Sequence, residues 1–149
     1  MWKNTVLMFA SMLLFSITLQ VMSKERCPIK TNGCSVPGRL PFFYKKTFTP
    51  ACDKHDVCYS CGQRFGWTQN QCDRRFERDM YRLCKKEHGS KKRWLFSFPS
   101  KYQRCKGFAR LYYRAVRTFG KYYWSDPSER WCSEGCTRAL GNPFKPLNI

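Results

Sequence analysis

Apolar side chains recur at steps of three and four residues after Thr68, a spacing that predicts one face of an α-helix. We expect the helix to start at Thr68 because Gln71 follows three residues later, as in a capping box. We expect it to end near Glu87, with Gly89 as its stop. The predicted inner face consists of Cys72, Phe76, Met80, Leu83 and Cys84.

A second stretch with the same spacing follows Ser100, where Gln103 completes another capping-box pattern. It predicts a helix that runs to about Phe119, with Gly120 just beyond its end. The predicted inner face consists of Cys105, Phe108, Tyr112, Val116 and Phe119.

An earlier and shorter helix is predicted over residues 50–61. Thr49 can cap its N-terminus, Pro50 suits the first helical position, and Gly62 can end it in a left-handed conformation. Helical spacing then places three side chains on one side of it, those of Cys52, His55 and Tyr59.

The start of the chain has the composition of a secretory signal peptide. Lys3 precedes an apolar run from Val6 to Val21, which is shorter than the roughly 20 residues of a membrane-spanning helix. We therefore predict a signal peptide over residues 1–23 and one domain over residues 24–149. Two parts of this domain lack a sustained period and are predicted to be irregular, residues 24–48 and 122–149.

Ten cysteines follow the predicted signal peptide. An even number in a small secreted chain indicates a disulfide framework, and hence a secreted, extracellular protein. Cys58 and Cys61 have the spacing of a redox or zinc pair, but no second spaced pair or thioredoxin-like context accompanies them. The spacing therefore favours disulfides and leaves their pairing open.

The chain has 28 Lys and Arg residues against 10 Asp and Glu residues, a net charge of +18. A net positive charge of this size attracts polyanions, which include anionic membranes, heparin-like sugars and nucleic acids. Alternatively, the charged side chains serve only to keep the surface solvated. Aromatic residues make up 17% of the chain, and aromatic rings mixed with cations suit both lipid interfaces and nucleic-acid stacking. Charge and composition do not choose among these partners.

The most informative motif places His55 and Asp56 side by side between Cys52 and Cys58 on the first predicted helix. Imidazole has an unperturbed pKa of about 6.5, so it can take a proton from water at neutral pH. A titratable base on a cross-linked helix, next to a carboxylate, is the combination that a hydrolytic metal site needs.

Three acidic residues precede Met80 on the second predicted helix. Asp73 is at the edge of the apolar face, where a carboxylate points toward the core and is costly unless it has a partner. Glu77 and Asp79 are expected to be solvated.

Taken in order, several segments resemble secreted phospholipase A2, and in particular the conodipines (group IX, cone-snail venom) and the prokaryotic-type enzymes. The resemblance spans roughly residues 27–120 and depends on the order and spacing of its parts. Its segments are Thr31–Ser35, Phe48–Cys52, His55–Tyr59, Cys72–Phe76, Asp79–Met80 and Leu111–Val116. It implies a mainly α, small disulfide-rich phospholipase A2-like fold, with two antiparallel active-site helices and a third packing helix.

The resemblance also implies roles for individual residues. His55 corresponds to the general base for an attacking water, Asp73 to the aspartate that orients the imidazole, and Tyr59 to a tyrosine that hydrogen-bonds this aspartate. Three further positions correspond to the calcium site, namely Asn32, Gly33 and Asp56.

One position departs from the prokaryotic pattern. Asn32 stands where those relatives carry an aspartate, so its amide oxygen can coordinate Ca²⁺ but brings no negative charge. The resemblance further suggests two disulfides, Cys34–Cys52 and Cys84–Cys105.

These observations predict a secreted, calcium-dependent phospholipase A2 that hydrolyses the sn-2 ester of glycerophospholipids at an anionic membrane surface, in a venom-toxin-like role. The alternative is a catalytically weak or inactive phospholipase-like protein that binds membranes, receptors or heparin through its basic surface. A third interpretation, a cationic nucleic-acid binder, is supported only by charge and aromatic content, so no nucleic-acid partner is expected.

A tribasic run, Lys91–Arg93, lies in the polar linker between the second and third predicted helices. Exposed polar linkers are where proteases cut most readily, and an uncleaved basic loop is the alternative. A cut near residues 91–93 would give a mature protein of two disulfide-linked chains.

Overall fold

The computed structural model describes residues 27–35, 41–89 and 100–149. The predicted signal peptide over residues 1–23 and the tribasic run near 91–93 lie outside these ranges. Within them the fold is mainly helical and contains no β-strand. The α-helices are α1 (Lys45–Phe65), α2 (Gln69–His88), α3 (Lys101–Phe119) and α4 (Thr137–Gly141), with 3-10 turns at Gly120–Tyr123 and Arg130–Ser133.

Both capping boxes form as predicted. The Thr68 hydroxyl accepts a bond from the Gln71 N–H at 3.3 Å, and the Gln71 side chain accepts one from the Thr68 N–H at 2.9 Å. Ser100 and Gln103 repeat this reciprocal pair at the start of α3. Each pair satisfies two N–H groups that a helix start would otherwise leave open.

Helix α1 is longer than predicted, and its predicted caps are wrong. It begins one turn earlier, after Tyr44, and the Thr49 hydroxyl donates to the Lys45 carbonyl at 2.8 Å from inside the helix. Pro50 also lies inside the helix and is tolerated there because the extra turn buries Phe48 completely.

The other end of α1 also differs from the prediction. Gly62 remains helical, and the Trp124 ring packs where a side chain at this position would lie, so only glycine leaves room for the ring. Gly66 ends the helix instead, with a φ of 69° that suits glycine.

The cross-links and contacts between α1 and α2 show that the two helices are antiparallel. Cys58–Cys72, Lys54–Asp79 and Thr47–Glu87 follow one another, with one residue number falling as the other rises. The same order relates α2 to α3 through Asp73–Arg117 and Cys84–Cys105. Helix α2 is thus packed against both α1 and α3.

The main core lies between these three helices and contains four of the five predicted inner residues of α2, Phe76, Met80, Leu83 and Cys84. The fifth, Cys72, is buried in a smaller cluster with Cys58, Tyr59 and Trp67. On α3, Cys105 and Tyr112 are buried, and Phe108 and Val116 are partly buried. The predicted burial of Phe119 is wrong, since 56% of its surface is exposed. The end of α3 therefore extends beyond the core.

Asp79 is buried rather than solvated, with 1% of its surface exposed. Its carboxylate contacts Lys54 at 3.3 Å and Arg75 at 3.0 Å, and it accepts a bond from the Leu147 N–H at 3.0 Å. Burial lowers the pKa of Lys54, and the neighbouring Asp79 carboxylate opposes that shift. The cluster ties the C-terminal tail to the back of α1 and α2.

All ten cysteines are paired. The two bridges suggested by the resemblance are confirmed, Cys34–Cys52 and Cys84–Cys105. The other three are Cys27–Cys136, Cys58–Cys72 and Cys61–Cys132. The tail over residues 122–149, predicted to be irregular, contains short helical turns. Cys61–Cys132 joins this tail to α1, and Cys27–Cys136 joins it to the segment before α1. Among the residues that the structure describes, no helix is both long and apolar enough to span a bilayer.

Candidate active site

The centre of the site is a contact between α1 and α2. Nε2 of His55 lies 2.9 Å from Oδ1 of Asp73, and Asp73 is fully buried, with 0% exposure. The imidazole packs between the rings of Tyr59 and Phe76, with centroids 4.1 and 4.6 Å away. Because one ring nitrogen is held by a carboxylate, the other can accept a proton.

Tyr59 lies one turn after His55 on α1 and bonds the same carboxylate oxygen. Its hydroxyl donates to Oδ1 of Asp73 at 2.6 Å. Burial, together with this hydrogen bond to a carboxylate, raises the pKa of Tyr59 well above its ordinary value. The phenol therefore stays protonated and acts as a permanent donor to Asp73.

A third donor reaches Asp73 from α3, and sequence reasoning did not identify it. The Arg117 guanidinium lies 3.4 Å from Oδ2 of Asp73, and 42% of the Arg117 side chain is exposed. Arg117 is one of many cations in a basic chain, and no spacing rule relates it to Asp73. Only the packing of α3 on α2 reveals the contact.

The segment before Cys34 meets α1 at Asp56. The backbone N–H of Asn32 donates to Oδ2 of Asp56 at 3.0 Å, and Gly33 takes a φ of 63°, which favours glycine. Burial raises the pKa of Asp56 to about 6, although the Asn32 N–H opposes the shift. A nearby positive charge stabilises the ionised form of a carboxylate that is desolvated in this way.

The Asn32 side chain faces the same carboxylate. One terminal position of its amide lies 3.0 Å from the Gly33 carbonyl oxygen and 3.1 Å from Oδ2 of Asp56. An amide nitrogen in this position donates to both acceptors. An amide oxygen in the same position would instead place three oxygens together, its own, the Gly33 carbonyl oxygen and Oδ2 of Asp56. Over the described ranges, no group of three or more His, Cys, Asp and Glu side chains is arranged to hold a metal. A cation at this position would therefore depend on amide and carbonyl oxygens as well as Asp56.

A cavity of about 300 Å³ opens beside these groups. His55 and Asp56 lie on its wall with the Asn32–Gly33 segment, and the remaining wall is mainly apolar. Residues that line it and were not predicted as site residues include Phe42, Phe76, Tyr112, Ala115, Val116, Phe119 and Tyr123. Tyr112, predicted to pack in the core, is buried there and also lines this cavity.

The structure thus brings the predicted residues together in two neighbouring groups beside one cavity, which all of them line except Asp73. His55, Tyr59 and Asp73 form the first group, and Asn32, Gly33 and Asp56 form the second. The apolar lining could have been anticipated only in part, because Val116 and Phe119 share the apolar face of α3 with core residues. An oriented imidazole beside a mainly apolar cavity can activate water against a substrate with a hydrocarbon chain.

Comparisons with known proteins agree with this chemistry. A family model described as prokaryotic phospholipase A2 matches residues 4–120. Conodipine-P3 of Conus purpurascens is 53% identical over 66 residues, which cover 44% of this chain and 36% of the relative. Conodipine-M alpha chain of Conus magus is 49% identical over 67 residues, which cover 44% of this chain and 82% of the relative. No solved structure matches.

Gly120 allows the turn after α3 to approach Tyr59, which leads to a prediction about packing. A Cβ at this position would lie 3.1 Å from Cζ of Tyr59 and would overlap its hydroxyl. We expect Gly120→Ala to lower the free energy of unfolding by about 1–3 kcal/mol, as overpacking does. Gly107→Ala is the matched control, because nothing lies within 4 Å and alanine favours a helix interior. Urea unfolding that gives equal stabilities for the two variants would contradict this contact.

Proposed function

The chain belongs to the prokaryotic phospholipase A2 family, and we propose that it hydrolyses the sn-2 ester of glycerophospholipids to a free fatty acid and a lysophospholipid. The observation that carries the proposal is that His55 lines a mainly apolar cavity while its imidazole is bonded to the buried Asp73 carboxylate behind it. The matched segment covers about a third of conodipine-P3, so activity is argued from the site of this chain.

In the proposed reaction His55 is the general base. Its Nε2 is bonded to Asp73, and within the described residues its Nδ1 makes no hydrogen bond. Nδ1 would take a proton from water as the water oxygen attacks the ester carbonyl, and the imidazolium would return that proton to the leaving alcohol oxygen. Asp73, held by Tyr59, would keep the imidazole in the required tautomer and orientation.

The polar group next to His55 fits a calcium ion. The terminal amide position of Asn32 lies 3.0 Å from the Gly33 carbonyl oxygen and 3.1 Å from Oδ2 of Asp56, and Ca²⁺ prefers carbonyl, amide and carboxylate oxygens. Asn32, Gly33 and Asp56 would hold the ion. When bound, it would supply positive charge to the substrate phosphate and to the oxyanion that develops at the ester.

The rim of the cavity supports a membrane surface as the place of action. Phe119 and Tyr123 both line the cavity, yet 56% and 59% of their surfaces are exposed. Lys121 lies between them, with its ammonium 5.0 Å from the Tyr122 ring centroid. Rings of this kind suit the headgroup region, and each nearby Lys or Arg contributes about 1 kcal/mol at an anionic leaflet.

Five disulfides and the N-terminal composition support secretion, with residues 1–23 as a removed signal peptide. A toxin-like role is supported by the identity to cone-snail conodipines.

Replacement of the proposed base tests the enzyme directly. We expect His55→Gln to lower hydrolysis of a phospholipid by at least about 10²-fold, because general base catalysis contributes about 10² to 10⁴-fold. His88→Gln is the matched control, since His88 lies at the far end of α2 and does not line the cavity. A folded His55→Gln protein with full activity would exclude His55 as the base. Wild-type binding to vesicles without hydrolysis would favour the inactive membrane-binding alternative.

Calorimetric titration with calcium tests the metal site without measuring activity. We expect Asp56→Asn to remove most of the binding and Asn32→Asp to tighten it, because formal negative charge around the cation sets the affinity. Glu134→Gln, in the exposed tail, should bind like wild type. Unchanged affinity in Asp56→Asn would place any bound calcium elsewhere.

Vesicle sedimentation tests the proposed membrane preference. We expect stronger binding to anionic than to zwitterionic vesicles, and weaker binding as salt shortens the Debye length from about 8 Å. Tyr123→Ser should weaken binding, whereas Phe144→Ser should not, because Phe144 is 66% exposed but does not line the cavity. Equal and salt-insensitive binding to both vesicle types would contradict an electrostatic role.

We also propose a cut near residues 91–93, which yields two chains. Three disulfides join the segment before residue 90 to the segment after residue 99, namely Cys27–Cys136, Cys61–Cys132 and Cys84–Cys105. We therefore expect one band on a gel without reductant and two bands with it. Substitution of Lys91–Arg93 by glutamine should leave one band under both conditions. A single full-length band for wild-type protein in reductant would refute the cut.

A further inference from the structure

We propose that Arg117 is a positioning residue of this site, which holds the Asp73 carboxylate in the orientation that presents Oδ1 to His55. The inference rests on the proposed function and extends it to α3, which carries none of the residues to which the sequence assigned a catalytic or metal-binding role. Arg117 would act through Asp73 and would not touch the substrate.

The first support is the division of hydrogen bonds at Asp73. His55 and Tyr59 both bond Oδ1, at 2.9 and 2.6 Å. Oδ2 has Arg117 as its partner, at 3.4 Å, and no other within the described residues. Without Arg117, one oxygen of a fully buried carboxylate would lose this donor.

The second support is charge. Asp73 is fully buried, and with a neutral imidazole at His55 and a phenol at Tyr59, both of its other partners carry no formal charge. Arg117 supplies the positive charge that this carboxylate contacts. A buried carboxylate left without an opposite charge is strongly destabilised in its ionised form.

The third support is the freedom of the aspartate itself. The terminal torsion of Asp is broad and roughly two-fold, so the backbone of α2 does not fix the plane of the carboxylate. Donors on both oxygens do fix it. His55 and Tyr59 approach from α1 and Arg117 from α3, so the carboxylate is held from two sides.

Arg117 does not line the cavity, although its neighbours Val116 and Phe119 do. A direct contact with substrate in the cavity is therefore not its role. The competing explanation is a simple structural tie between α3 and α2, and this explanation predicts lost stability without a specific loss of turnover.

The test compares Arg117→Ala and Arg117→Lys with Arg114→Ala, which removes an exposed arginine one turn earlier on α3. On a monomeric short-chain phospholipid, we expect Arg117→Ala to lower kcat by roughly 10–100-fold, the range seen when a partner that orients a functional group is removed. KM should change by less than about 2-fold in the same comparison. Arg117→Lys should recover part of kcat, and Arg114→Ala should match wild type.

Chemical rescue separates positioning from a structural tie. Added guanidinium ion should raise kcat of Arg117→Ala, because the exposed part of the Arg117 side chain leaves a path from solvent. It should not raise kcat of Arg114→Ala. A folded Arg117→Ala protein that keeps wild-type kcat, or one that guanidinium does not rescue, would overturn the proposal.

A second readout does not depend on hydrolysis. The His55 ring proton shared with Asp73 should give a downfield proton NMR resonance that shifts or broadens in Arg117→Ala and stays unchanged in Arg114→Ala. If wild type fails to hydrolyse phospholipid, the proposed function is wrong, and this resonance still decides whether Arg117 positions Asp73. If Arg117→Ala does not fold, Arg117→Gln takes its place, because glutamine keeps a hydrogen-bond donor without the charge. The kcat of Arg117→Gln and its His55 ring-proton resonance then decide the question.

Discussion

The buried carboxylate of Asp73 is the constraint on which the rest of the site depends. A charge removed from water costs several kcal/mol unless donors surround it, and here the donors come from two other helices. His55 and Tyr59 belong to α1, and Arg117 belongs to α3. The three helices must therefore keep their relative positions for the carboxylate to be satisfied. A site of this kind needs a stiff scaffold more than it needs a large core.

The scaffold has two kinds of stiffening, one next to Asp73 and one farther along α2. Cys58–Cys72 joins α1 to α2 next to the site, so the register between His55 and Asp73 is fixed covalently. Farther along α2, buried Asp79 binds Lys54 of α1 and the Leu147 N–H of the tail. Asp79 is thus a second buried carboxylate that donors from other segments satisfy. Its partners hold the back of the helix pair and do not line the cavity beside His55.

Local rules predicted local structure well and long-range electrostatics poorly. The capping boxes at Thr68 and Ser100 form because each involves groups only three residues apart. The start of α1 was misplaced because burial of Phe48 outweighs the capping preference of Thr49. The resemblance indicated His55, Asp73 and Tyr59, which the structure places together. Asp79 and Arg117 escaped prediction because their environments depend on partners up to 68 residues away in sequence.

The position of Arg117 also bears on the proposed cut in the linker. Cleavage there would leave His55, Tyr59 and Asp73 on one chain and Arg117 on the other. The Arg117 guanidinium that Asp73 contacts would then belong to a separate polypeptide, held in place by Cys84–Cys105 and the two longer cross-links. Because a disulfide keeps its partners at a high effective concentration, the charge could stay in place after the backbone is broken. Reduction would remove that restraint, so the proposed site would depend on the bridges for its chemistry as well as for its stability.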